Sequence, residues 1–178
     1  MQKTTLLLKQ EMTMIRCIIW TVVFSTVAAI LQSTVIGMIP FVKVVPDLAL
    51  CVLVFSAYVN GTMTGQVSGF FSGLFLDFLS AAPLGMNCLV RTLIGAFTGI
   101  FKGSFFLDII LMPILLCAVA TLIKALIIFI LHLIMGSAIP TYSLTSSLLW
   151  IELGLNSLFA PILFSLLKRF KPILTGRS

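Results

Sequence analysis

Glycine recurs at every fourth residue along two neighbouring apolar stretches. Gly65, Gly69 and Gly73 lead to Asp77 on the first, Arg91 leads to Gly95, Gly99 and Gly103 on the second, and Pro83, Gly85 and Asn87 stand between them. On a helix, four-residue spacing places positions along one slowly winding face. Residues 65–103 therefore predict an antiparallel helical hairpin in which each arm carries a stripe without side chains. A glycine inside a helix costs about 1 kcal/mol against alanine, so its repetition requires compensation from close packing. Lipid tails are as apolar as leucine, and in that medium small residues let helix backbones approach. The stripes read as packing faces, and Asp77 and Arg91, each beside the turn, are expected at similar depth and paired.

Composition identifies the medium. With 60% apolar and 9% charged residues, too few polar groups exist to cover a soluble surface, and the chain reads as an integral membrane protein. Eleven basic against five acidic residues give a net charge of +6. The basic residues cluster at the ends of apolar segments, the distribution of the positive-inside rule, and no nucleic-acid partner is expected. Cys17, Cys51, Cys88 and Cys117 form no CxxC pair and read as small hydrophobes. The run 17–39 is too long for the core of a signal peptide and suits a retained span of about 20 residues.

Six helical segments follow in order: 17–39, 48–59, 64–80, 88–101, 107–135 and 146–167. They divide the chain into a basic tail (1–16), a six-helix transmembrane domain (17–167) and a second basic tail (168–178). Pro46 and Asp47 read as the first turn of the second helix. Its apolar part covers only about 18 Å of a hydrocarbon core of roughly 30 Å, so it starts deep or tilts. Pro113 is expected to mark an interfacial start or a kink in the fifth segment. An even number of spans places both tails on one side. Lys3, Lys9, Arg16, Lys102, Lys168, Arg169, Lys171 and Arg177 fall there and Lys43 falls opposite, so both termini are expected in the cytoplasm.

Asp77, Arg91, Lys124, His132, Glu152 and Asn156 are the polar residues within the segments. Asp77 with Arg91, and Lys124 with Glu152, are the expected pairs. Such pairs either fix helix register by neutralising each other or form a substrate or proton site. Enzyme readings fail on inventory. Ser68 and Ser72 lack the glycine that an intramembrane serine protease loop requires, and the aspartates are not placed side by side as a membrane aspartyl peptidase needs. There is no HExxH, P-loop or dinucleotide fingerprint, and no second histidine to complete a metal site. No catalytic residue, cofactor or metal is expected.

The order of several motifs carries a resemblance. Pro46, Asp47 and Leu48 form PDL; Gly69, Gly73, Asp77 and Ser80 stand in GxxxGLFLDFLS; Pro83, Leu84, Gly85 and Asn87 stand in PLGMN; Gly95 and Gly99 form a further GxxxG. With Gln32 near the end of the first helix, this stretch of about residues 31–103 resembles the rod-shape-determining MreD family. The chain departs from the family pattern at Ala81, where glycine commonly follows the serine, and at Arg91 and Ala96, where aromatics are frequent. No family role therefore passes to Arg91.

The resemblance implies a six-helix fold related to the membrane S-components of energy-coupling vitamin transporters. It implies a non-enzymatic role in the cytoplasmic-membrane complex that guides lateral peptidoglycan synthesis and cell shape. The bitopic protein MreC would be a direct partner, with MreB, RodA and its transpeptidase as complex members. The alternative is an S-component that captures a vitamin or metal from outside. That reading wants an A-x-x-x-A face on the first helix, which only Ser25, Ala29 and Ser33 approximate. It also wants polar groups converging in a pocket, and the outer loops offer few beyond Asn87, Ser137, Thr141, Tyr142 and Ser143.

Overall fold

A computed structural model describes residues 2–36, 44–80, 82–103, 110–136 and 147–174. All regular structure among them is helical. α1 runs Gln2–Leu31 and ends in a π-helical turn, Gln32–Ile36. The expected boundary between a tail and a span at residue 17 is not a break in the helix. No glycine or proline occurs before Gly37, and the leucines, lysine and glutamate of residues 6–11 favour helix, so nothing stops the first helix from starting at Gln2, ahead of its apolar stretch.

α2 (Leu48–Asn60), α3 (Thr62–Leu79), α4 (Met86–Ile100), α5 (Leu111–Met135) and α6 (Ser147–Arg169) follow in the expected order. Pro113 falls in the first turn of α5, where backbone N–H groups lack intrahelical acceptors, so it begins the helix instead of kinking it. The C-terminal tail expected from residue 168 is partly folded. α6 continues through Arg169, and a short helix α7, Lys171–Leu174, turns back against the bundle. Leu174 is buried, its carbonyl accepts from Asn60 Nδ2 at 3.0 Å, and the Phe170 ring lies 5.5 Å from that of Phe24. The apolar side chains between the basic residues are what hold this end down.

α2 is the core helix. It packs against α1, α3, α4, α5 and α6, and residues 49–57 are buried without interruption, as befits a helix that is apolar all round. Hydroxyl bonds join it to α1: Thr21 Oγ1 with Ser56 Oγ, and Ser25 Oγ donating to the Ala49 carbonyl at 3.2 Å. The Gln32 side chain accepts from the Ala49 N–H at 3.4 Å. Phe55 meets Phe164 of α6 edge to face, with centroids 5.1 Å apart.

α3 and α4 form the most extensive helix pair. The register is antiparallel: Gly65 lies against Gly95, Gly69 against the Arg91 carbonyl, Gly73 against Asn87 and Cys88, and Gly99 against Thr62. A methyl group at any of these glycines would overlap backbone atoms of the other arm, so the stripes are packing faces at backbone contact. Gly103 is not part of them; it lies beyond α4 with nothing near its Cβ position. The arms join through Gly85, whose φ of 90° is a left-handed conformation suited to glycine.

α5, α6 and the stretch Gln10–Thr34 are long and apolar enough to cross a membrane, whereas α2 and α4 are shorter apolar helices.

Candidate functional site

The polar interior is built around Asp47. It caps α2, its Oδ1 accepting from the Leu50 N–H at 2.9 Å, which satisfies one of the free donors of the first turn. The same carboxylate binds Arg91 Nη2 at 2.9 Å through Oδ1 and Lys124 Nζ at 2.8 Å through Oδ2. Lys124 Nζ reaches Glu152 Oε1 at 2.7 Å. The four charges form an alternating chain, Arg91, Asp47, Lys124, Glu152, with no net charge.

Neutral groups extend the chain. The Asp47 N–H donates to Asn156 Oδ1 at 2.7 Å, and Asn156 Nδ2 donates to Thr121 Oγ1 at 3.0 Å. Thr121 in turn donates to the Cys117 carbonyl at 2.8 Å. Arg91 Nη1 donates to Ser25 Oγ at 3.3 Å. One connected network thus joins α1, α2, α4, α5 and α6. Asp47, Arg91, Glu152 and Asn156 are all buried. An isolated ion in such a place carries several kcal/mol of desolvation penalty, which a neighbour of opposite sign and good hydrogen bonds offset.

Asp77 forms a second, separate polar centre. Its Oδ1 accepts from the Asn87 N–H and from Asn87 Nδ2, both at 2.9 Å, and its Oδ2 from the N–H groups of Gly85 and Cys88 at 3.0 and 3.1 Å. A carboxylate from the last turn of α3 therefore caps α4, where unpaired N–H groups and the positive end of the helix dipole favour an anion. Asn87 Nδ2 also reaches Ser80 Oγ at 3.4 Å, and the turn is closed by the Met86 N–H on the Pro83 carbonyl at 3.1 Å.

The sequence profile of the rod shape-determining protein MreD family matches residues 11–170 of the 178. The chain belongs to the MreD family. Comparisons with curated proteins and with solved structures gave no match. The MreD match extends well past the region 31–103 that carries the motif resemblance, taking in Lys124, Glu152 and Asn156, α1 from residue 11 on, and α2 to α6 whole. Membership and the apolar helices together make this a multi-pass membrane protein with a role in rod-shape determination.

In this MreD-family chain Lys124 and Glu152 meet as expected, but Asp77 and Arg91 do not pair. The hairpin register is the reason. Arg91 lies level with Gly69, two helical turns or about 12 Å below Asp77, so it faces the start of α2 and not the end of α3. Asp77 is already committed to four donors at the α4 terminus. Asp47 is the residue that sequence reasoning placed in a helix turn and left out of the polar set. Its signal was present: a second helix too short to span begins at depth, and the acid at its start lies at that depth too. Asp108, Lys43, Ala81 and the loop residues Ser137, Thr141, Tyr142 and Ser143 lie outside the described residues. Among the described residues, no three His, Cys, Asp or Glu side chains converge as a metal site would require, and all four cysteines are buried free thiols.

Proposed function

We propose that this chain is a non-enzymatic subunit of the cell-wall elongation complex, held in the bacterial cytoplasmic membrane by six spans with both termini in the cytoplasm. MreC is its direct partner, and MreB, RodA and the associated transpeptidase are further members of the assembly. The observation that carries the reading is the MreD family match over residues 11–170. The chemistry of the interior supports it: the charges of Asp47, Arg91, Lys124 and Glu152 are taken up by one another, as in a scaffold whose function lies in its outer shape. The six-span count and the likeness to transporter S-components belong to the same proposal.

Within that reading, the turn after α3 is a recognition surface. Asp77 fixes the backbone of Gly85, Asn87 and Cys88 from behind, so Pro83, Leu84 and Gly85 are presented in one conformation to a partner. The glycine faces Gly65, Gly69, Gly73, Gly95 and Gly99 hold the two arms beneath it.

Depletion of the protein from its own rod-shaped host tests the reading, scored by cell width and by what co-purifies with the tagged chain. Rounded cells and recovery of a bitopic partner are expected. Unchanged shape with recovery of an ATPase-coupled membrane protein would instead identify an uptake subunit.

A further inference from the structure

We propose that the α3–α4 edge of the bundle sits in a locally thinned bilayer and so collects phospholipid of short or disordered acyl chains. The proposal rests on the height of the apolar surface, which differs between the two sides of the molecule.

α3 is bounded by Gly61 at one end and by the turn before Met86 at the other. Its exposed large apolar side chains run from Met63 through Phe70, Phe71, Phe75 and Phe78 to Leu79. From Met63 to Leu79 the helix rises only about 24 Å. On α4 the corresponding run, Leu89 to Ile100, rises about 17 Å. Polar groups stand at both ends of this belt, with exposed Leu84 in the turn at one of them. At one end Lys102 Nζ donates to the Asn60 carbonyl at 2.8 Å; at the other stand Ser80 and Asn87, hydrogen-bonded to each other. Half-buried Gln66 interrupts the belt between Met63 and Phe70.

The α5 side is taller. Exposed apolar side chains continue from Leu111 to Met135, a rise of about 36 Å, and even to His132 in the last turn the rise is about 32 Å. A hydrocarbon core of roughly 30 Å is met by α5 with a tilt, while α3 falls about 6 Å short of it. Tilting only shortens the projection of the short helices. Sliding one arm to lengthen the belt is closed off as well, because Gly65, Gly69, Gly73, Gly95 and Gly99 lock the arms at backbone contact. What remains is for the bilayer to yield, as it does around short hydrophobic stretches.

Nitroxide labels test this in the full chain reconstituted in phosphatidylcholine with 18-carbon monounsaturated chains. Met63→Cys and Leu79→Cys probe α3, Leu111→Cys and Leu133→Cys probe α5, and the four native cysteines are buried. Relative accessibility to oxygen and to a water-soluble nickel chelate gives each label's depth. The expected result is a hydrocarbon thickness at α3 about 5 Å or more below that at α5, a difference that shrinks in 14-carbon lipid. Equal thickness on both sides overturns the proposal. So does shielding of labels at Phe70→Cys and Phe78→Cys from oxygen, which would mean that another copy of the protein covers this edge.

Discussion

Two aspartates define the residue scale, and they do different work. Asp47 has two cations to neutralise, Arg91 and Lys124, besides its helix cap. Asp47→Ala strips Arg91 of its carboxylate and leaves Lys124 with Glu152, and a loss of about 3–5 kcal/mol is expected, the range seen when one partner of a buried ion pair is removed. Asp47→Asn keeps an acceptor for the Leu50 N–H and should lose less. Denaturant unfolding in detergent micelles checks both, and equal losses would mean that the charge, removed in both variants, carries the whole effect and the retained cap adds nothing. Asp77 serves only donors, four of them. In Asp77→Asn one carboxylate oxygen becomes an NH2 facing N–H groups, and about 1–3 kcal/mol of stability should go with it. Faster amide exchange at residues 85–88 and weaker recovery of the bitopic partner are the expected signs; unchanged exchange and normal rod growth would remove Asp77 from the recognition surface. The residue types were legible in the sequence, their partners less so. Lys124 and Glu152 were matched because their helices are long and their depths could be counted from the ends. Asp77 and Arg91 were mismatched because a turn that offsets the register by a few residues moves every level below it.

At the scale of elements, the glycine spacing alone points to the hairpin, since four-residue repetition on consecutive segments has one economical packing. Gly69→Val and Gly95→Val should force the arms apart, because each new side chain would meet backbone of the opposite helix; a loss of a few kcal/mol is expected, in the range of overpacked cores or above it. Gly154 of α6 is the control, with nothing near its Cβ position. Gly154→Ala should be neutral or stabilising by up to about 1 kcal/mol through helix propensity. The same unfolding assay separates the two classes, and similar losses at Gly69, Gly95 and Gly154 would show that the stripes are not the contact. Helix ends were less legible than helix faces. The basic residues near the N-terminus suggested a tail because charge was used to mark the boundary, yet charge does not stop a helix and only Gly37 follows the run. The C-terminal segment folded back because Leu174 is buried and the Phe170 ring packs on Phe24, a tertiary effect that local sequence does not announce.

On the scale of the whole molecule, a neutral chain of four charges ties α2 to α4, α5 and α6 and, through Ser25, to α1. That arrangement is what a rigid shape-determining scaffold needs, and a network of this kind is replaceable by uncharged groups of similar size when all members are replaced together. The most direct measurement is complementation of depleted cells by a quadruple variant, Asp47→Asn, Arg91→Met, Lys124→Met and Glu152→Gln, next to each single change. If the charges serve structure, the quadruple variant folds and restores rod shape, while the single changes that leave a buried ion unpaired do not. A quadruple variant that inserts, folds and recovers its partner, yet leaves the cells round, would contradict this and assign the charges to a binding or proton-transfer site.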